Sequence, residues 1–428
     1  MFIKKINLAR YFNLDIYQTK VIILNFERFV AYRILKKDRK NFSRPIIKIA
    51  ITAVALGVAI MLIATSIVTG FQNTVTEKVT GFSSHIRIVS YDNNKSWEIA
   101  PIDKDQEIYH KLKEDEGIRH IQRFGLKAGI LKHNNQILGG VLKGAAKDYD
   151  WQFIQENLVK GQVLNWNDTA KSNGIIISDF HARKLKLDTG ESILMYFIQD
   201  PPRYRKFKIK GIYNSGIEEM DKRFILSDIR HIQKLNDWNE NQVAGYEIFL
   251  EDFNTLQDYT SQIYQNTSFD LKVENIRTMN PQIMDWLNML NTNVVIILLL
   301  MLLVSAITMV STLLIMILEK TKMIGIFKAL GSKNKSIRKI FIYNALYIIG
   351  KGLILGNLIG LGLLVLQKVT GFITLDETTY YMPVVPVNLD ILHIFMINIG
   401  TIFICLIFLI LPSFLITRIS PVNAIRFE

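Results

Sequence analysis

One cysteine, Cys405, stands in the 428 residues, and it lies inside a long uncharged run. A disulfide framework within the chain and a cysteine metal cluster are thereby excluded, so any part outside a membrane must be held by its own core. The signatures of phosphate and nucleophile chemistry are missing as well: the sequence has no GxxxxGK[ST], no HExxH and no GxSxG. Seven histidines are scattered, six of them between residues 71 and 290, and His85, His181 and the others read as surface or structural groups. Glu114-Asp115-Glu116 reads as a solvated charge run rather than an acid/base pair. No catalytic residue, no metal site and no directly bound cofactor is expected, so the energy for any work has to come from another protein.

Charge is missing from long stretches. Residues 49–68 and 294–318 carry none, 391–416 none, and 340–366 only Lys351, although 21% of the whole chain is charged. At 1.5 Å per helical residue, each run is long enough to cross ~30 Å of hydrocarbon. The first run begins too far into the chain, is too long and lacks an obvious cleavage site, which makes a signal peptide a poor reading.

What charge there is falls unevenly. Residues 1–48 hold 12 basic and 3 acidic side chains and 319–339 hold 7 and 1, whereas 71–290 hold 28 and 30 and 369–390 hold none and 3. The net charge of +13 is thus a positive-inside pattern, with 71–290 and 369–390 outside and both termini cytoplasmic. It leaves no basic groove for nucleic acid. The expected organisation is a cytoplasmic segment 1–48 with a basic interfacial helix, spans at 49–70, 291–318, 340–368 and 391–416, an outer domain 71–290, a cytoplasmic segment 319–339, an outer loop 369–390 and a cytoplasmic tail 417–428.

Residues 1–24 have no amphipathic period and read as an extension outside the fold or an upstream start. Residues 28–40 read as a basic helix on the inner surface, where it meets anionic headgroups. Ser43-Arg44-Pro45 opens a helix that continues past the first span through TGFQNTVTEKVTGF, and Asn280-Pro281 opens another that runs straight into the second. Both would stand above the membrane as stalks. Between them, strand and helix signals mix (SHIRIVSYD; NGIIISDFHARKLKLDTGESILMYFI; RYRKFKIKGIYNSG; DKRFILSDIRHIQKL), which predicts an α+β domain of one or two lobes. Two prolines make the 369–390 loop extended. In the third span Gly352, Gly356 and Gly360 recur every four residues and suit close helix packing; Lys351 beside them either snorkels or pairs at a subunit interface.

The segment EKTKMIGIFKALGSKNKSIRKI, 319–340, does more than orient spans. On a helix, Met323, Ile324, Ile326, Phe327 and Leu330 share one arc, and Thr321, Gly325 and Ala329 the other, flanked by Lys322 and Lys328. Gly331 stops the helix and Ser332 is placed to cap the next. A mid-helix glycine costs about 1 kcal/mol against alanine, which a surface anchor has no use for; docking of a partner on the Gly325–Ala329 face and anchoring to lipid both remain open on this physics.

The same segment resembles the cytoplasmic coupling segment of FtsX/MacB-like ABC transporter permeases, whose E-[KR]-x-x-x-I-G-x-x-[KR]-A-[LI]-G pattern is matched from Glu319 to Gly331. The tail ISPVNAIRFE, with Pro421, Ala424, Arg426 and Glu428, is similar to the family's closing pattern, and ALGVAIMLIATSIVTGFQNTVTEKVTGFSSHIRI resembles the first span of the LolC/LolE type. The resemblance implies an integral membrane fold of four transmembrane α-helices with a large α+β periplasmic, MacB-like domain inserted between helices 1 and 2, in the bacterial inner membrane. It implies a non-catalytic permease beside a second permease subunit, identical or related, and an ABC ATPase dimer that consumes ATP and Mg. The coupling residues would be Glu319, Lys320, Lys322, Gly325, Lys328, Ala329, Leu330 and Gly331. The implied function is extraction of lipoproteins from the membrane and their delivery to a periplasmic carrier; a MacB-type efflux permease and an FtsX-like scaffold for a cell-wall hydrolase are the alternatives. In the LolC type a hairpin hooks the carrier; here the corresponding turn, Asp200, Pro201, Pro202, Arg203 and Tyr204, is short and reads as a rigid turn or a reduced hook. A greasy slot for lipid is expected near Val68, Phe71, Trp286 and Met289.

Overall fold

The structure, a computed structural model, describes residues 26–37, 43–92, 99–167 and 170–419. Residues 1–25 and the tail motif with Pro421, Ala424, Arg426 and Glu428 lie outside the described residues. Among the described residues, four helices are long and apolar enough to cross a membrane: Ser43–Ser83, Pro281–Glu319, Asn334–Thr370, and a fourth beginning at Ile391. Each of the first two is a single helix that contains both an apolar run and a polar extension, because no Pro or Gly-Pro break interrupts residues 46–83 or 282–319.

The chain divides into two compact units, one comprising residues up to 62, 298–362 and from 391, the other 63–297 and 363–390. In the first, the glycine series does what its spacing predicts. A Cβ on Gly356 would stand 2.7 Å from the main-chain oxygen of Ala55, one on Gly352 2.7 Å from the Val54 side chain and one on Gly360 3.1 Å from Ala59, so the third span helix lies backbone-close on the first. Asn357 and Asn398 exchange side-chain hydrogen bonds of 2.6 and 3.0 Å between the third and fourth span helices. Lys351 is exposed, with its ammonium 4.5 Å from the Tyr347 ring one turn toward the helix N-terminus, the direction snorkelling takes.

Among the described residues, the second unit is built on twelve strands: β1 Ile86–Ser90, β2 Ile102–Asp103, β3 Ile118–His133, β4 Gln136–Ala145, β5 Leu158–Gly161, β6 Gly174–Ser178, β7 Ser192–Phe197, β8 Arg203–Tyr213, β9 Phe224–Asp228, β10 Gln242–Val243, β11 Gly245–Leu250 and β12 Leu271–Asn275. Ten form one sheet in the order β12-β1-β11-β3-β4-β9-β6-β8-β5, and β7 pairs with both β3 and β8. That double pairing closes β3-β4-β9-β6-β8-β7 into a ring, with β5, paired to β8, at the end of the strand order beside it. Leu131, Leu142, Ile175, Met195, Phe207 and Ile225 form a separate core there, all but fully buried. A larger core carries Phe71, Val75, Val79 and Phe82 of the first stalk and Met284 and Leu287 of the second onto the rest of the sheet. The α+β mixture therefore takes the form of one sheet with two cores.

The 369–390 loop is more folded than its prolines suggest. It contains a turn of helix at Glu377–Tyr380, and Thr374 bridges Val384. The loop lies along the first stalk: Asn388 N–H donates to the Ser66 oxygen at 3.0 Å and Lys78 Nζ to the Tyr381 oxygen at 2.7 Å.

Candidate functional site

The segment 319–340 folds as a nine-residue helix, Thr321–Ala329, between the second and third span helices. Its end is set by Gly331, whose φ of +87° is the left-handed conformation only glycine adopts cheaply. Gly331 N–H donates to Lys328 O at 3.0 Å and Ser332 N–H to Phe327 O at 2.9 Å, the two bonds of a Schellman stop. Ser332 thus serves the turn through its main chain. The carbonyl that opens the next helix is that of Lys333, which accepts from Ile337 N–H at 3.2 Å.

How the helix is seated differs from its arcs in sequence. Ile324 and Gly325 are buried by the chain itself, so Gly325 is not an open surface, whereas Ile326 is 50% and Leu330 78% exposed. Ala329 and Lys322 are exposed too, and Glu319 and Lys320 sit side by side at 3.4 Å. The outward ridge is accordingly Lys322, Ile326, Ala329 and Leu330, at i, i+4, i+7 and i+8. Lys328 turns inward: its Nζ donates to the main-chain oxygens of Ile416 and Ile419, each at 2.6 Å, at the end of the fourth span helix. Burial pushes its pKa below the ordinary lysine value.

A further contact was not legible from sequence. The helix Phe26–Lys37 sets Phe26 edge-on against Phe327, ring centroids 5.8 Å apart, and Glu27 accepts from Ser336 Oγ at 2.7 Å. The basic helix is thereby tied to the helix Thr321–Ala329 near its C-terminal end and to the first turn of the third span helix.

In the outer domain, β7 and β8 form a hairpin with Phe197 opposite Arg203 and a turn at Ile198–Pro202 that includes a cis Asp200–Pro201 bond. Arg203 holds Asp237 through two hydrogen bonds of 3.0 and 2.9 Å and keeps that carboxyl below its usual range. The tip is open: Asp200, Pro201 and Pro202 are exposed, with Ile198 77% and Tyr204 62% exposed. Of the slot residues, Phe71 and Trp286 meet edge-on at 5.4 Å within the domain core, Val68 is half-buried and Met289 is exposed. Phe71 is thus a packing residue, and only Met289 offers open apolar surface. Ser178 and His181, 2.7 Å apart, are both fully buried and serve packing.

The profile described as MacB-like periplasmic core domain matches residues 49–264, half of the chain, and that described as FtsX-like permease C-terminal matches 295–421. The lipoprotein-releasing system transmembrane protein LolE of Haemophilus influenzae is 22% identical over 437 residues, covering 94% of this chain and 99% of that protein. LolC of Buchnera aphidicola subsp. Schizaphis graminum is 25% identical over 404 residues, covering 89% and 93%. Among solved structures, the periplasmic region of MacB from Actinobacillus actinomycetemcomitans covers 49% of this chain and 97% of its own, at 13% identity and a TM-score of 0.33. Four spans, a MacB-like α+β domain between the first two and the FtsX-like half that follows together place the chain in the FtsX/MacB-like permease family, as a permease of the LolC/LolE type.

Proposed function

We propose that this permease subunit serves an ATP-driven transporter that extracts lipoproteins from the inner membrane and passes them to a periplasmic carrier. The observation that carries the reading is the seating of the helix Thr321–Ala329: Lys328 fastens it to the fourth span helix, a Schellman turn fixes its end, and an unsatisfied apolar ridge of Ile326 and Leu330 faces outward beside Lys322. An anchoring helix would bury such a ridge in lipid with its lysines splayed to either side; here the ridge ends in the short polar turn Gly331–Lys333 and suits a shallow cleft on a globular protein.

In this reading an ABC ATPase dimer, using ATP and Mg, grips Lys322, Ile326, Ala329 and Leu330 of this chain and the matching segment of a second permease subunit. Glu319, Lys320, Gly325, Lys328 and Gly331 hold the ridge in place. The span helices Ser43–Ser83 and Pro281–Glu319 carry the stroke because each is one uninterrupted rod. A lipoprotein's acyl chains bury ~0.8 kcal/mol per CH₂, so extraction needs that external source. The exposed hairpin tip, with Ile198, Asp200, Pro201, Pro202 and Tyr204 around a base pinned by Arg203, is the carrier-docking surface. Lipid enters beside Met289, with Val68, Phe71 and Trp286 as the packed wall behind it. The test is depletion of the chain in cells: lipoproteins retained in the inner membrane support the reading, and normal lipoprotein sorting overturns it.

A further inference from the structure

The helix Ser43–Ser83 ends inside the outer domain, where its last carbonyls need donors from elsewhere. Thr80 O accepts from Ser84 N–H at 2.7 Å, and Phe82 O accepts from Lys143 Nζ of β4, also at 2.7 Å. The Lys143 ammonium stands 5.0 Å from the centroid of the Phe82 ring, and a cation there suits the negative end of the helix dipole. The same ring packs against Tyr213 and Phe224, with centroids 5.9 and 5.1 Å away.

Lys143 is fastened in turn. Its Nζ lies 2.7 Å from Glu247 of β11, and the two side chains are 3% and 5% exposed. Glu247 accepts on its other oxygen from Gln122 of β3 at 2.7 Å, and Gln122 accepts from Asp150 N–H at 2.8 Å. One buried network thus runs from the stalk end across β4, β11 and β3 to the chain that follows β4.

A buried ion pair is a weak source of stability, because desolvation offsets the attraction and an apolar pair of similar volume holds a core as well. What a satisfied polar network supplies is direction, since its bonds hold their partners at one place and angle. The turn after the stalk already gives one attachment: His85 N–H donates to Ile248 O of β11 at 3.0 Å, and His85 O accepts from Ile276 N–H at 2.9 Å. A rod attached at one point pivots. Lys143, bonded to the adjacent Glu247, is the second point that stops it.

We propose that Lys143 is the positioning residue that makes the first stalk and the sheet move as one body, so that a stroke of the helix Ser43–Ser83 turns the outer domain instead of pivoting within it. The stroke itself rests on the transporter reading above.

The test places spin labels on the exposed positions Asn73 of the stalk and Lys132 of β3, each changed to cysteine in a Cys405→Ala background, and reads the width of their distance distribution in full-length chain in nanodiscs. Lys143→Met with Glu247→Gln, which removes the cation without stranding a carboxylate, should widen it at least twofold. Ile225→Ala, a cavity in the separate core, should lower the melting midpoint and leave the width unchanged. If the first variant fails to fold, Lys143→Gln with Glu247→Gln takes its place, since the shorter side chain does not reach Phe82 O, and the same widening is expected. The second readout is release of a fluorescent tripalmitoylated cysteinyl peptide per ATP hydrolysed, with the ATPase, second permease subunit and carrier in proteoliposomes. It should fall at least threefold in the Lys143 variant and hold in Ile225→Ala. An unchanged width in the Lys143 variant, equal widening in both variants, or undiminished release per ATP overturns the proposal. No release from the unaltered chain counts against the transporter reading instead, and the widths still decide whether Lys143 fixes the stalk.

Discussion

The ammonium of Lys328 stands 2.6 Å from the main-chain oxygen of Ile416, 88 residues further along the chain. A cation on the last carbonyls of a helix satisfies acceptors that have no partner within it and is favoured by the helix dipole, by about 1 kcal/mol and up to ~2 when half-buried. Lys328 therefore works inside the subunit, and the exposed apolar face of the helix belongs to Ile326 and Leu330. Lys328→Met should leave the ATPase bound but loosen its hydrolysis from transport, whereas Lys328→Arg should retain most coupling. Parallel ATPase and transport assays on reconstituted complexes separate the two.

Between the first and third span helices the limit is space. Gly356→Ala puts a methyl 2.7 Å from the Ala55 oxygen and 2.9 Å from Val58, both in a packed interface, so it should cost about 1–3 kcal/mol and lower the melting midpoint in detergent. Gly362→Ala meets no heavy atom within 4 Å and is expected to be neutral or slightly stabilising. Equal shifts for the two would show that the glycine series does not set this contact.

Asn357 and Asn398 each lend an amide donor to the other's oxygen. Within a membrane such pairs are worth about 0.6 kcal/mol on average and up to ~1.7. Asn357→Leu alone strands Asn398 and should destabilise; adding Asn398→Leu should recover part of the loss. A double-mutant cycle on the melting midpoint measures the coupling, and strict additivity would deny the pair.

Acid acts on the outer domain through buried histidines. Burial, and for His85 also the nearby Arg119, holds His85 and His181 down to about 4, well under the ordinary value near 6.5. Unfolded chains bind those protons first, so this stability is complete above about pH 6.5 and drains away as pH falls toward 4. Asp221 opposes it: burial lifts its carboxyl to about 6, so between pH 4 and 6 the folded chain keeps a proton the unfolded one loses. The melting midpoint should fall between pH 6.5 and 4.5, less steeply in His181→Gln and more steeply in Asp221→Asn.

Local rules made much of this molecule legible. Uncharged length gave the spans, four-residue glycine spacing gave a close helix contact, and Gly331 gave the stop after Ala329. The seating of the helix Thr321–Ala329 was not legible, since which of Gly325 and Ile326 faces inward depends on packing against distant helices, and the anchor of Lys328 is 88 residues away. The closed ring was hidden for the same reason: β7 pairs with β8 through a short turn but also with β3, some 60 residues earlier, and only the first pairing leaves a local pattern. The same holds where Glu274 stands opposite Arg87, Arg87 opposite Glu247 and Glu247 opposite Gln122, across four strands whose registers no single segment records.

The central claim is that an ATPase grips the outward ridge of the helix Thr321–Ala329. Its most direct test is affinity purification of the complex in mild detergent from cells producing the unaltered chain or the variant Ile326→Asp with Leu330→Asp. Two buried apolar contacts at a docking site are worth about 1.5–3 kcal/mol each, so the variant should lose the ATPase by tenfold or more while its own melting midpoint is unchanged. An undiminished yield of ATPase with the double variant would contradict the account.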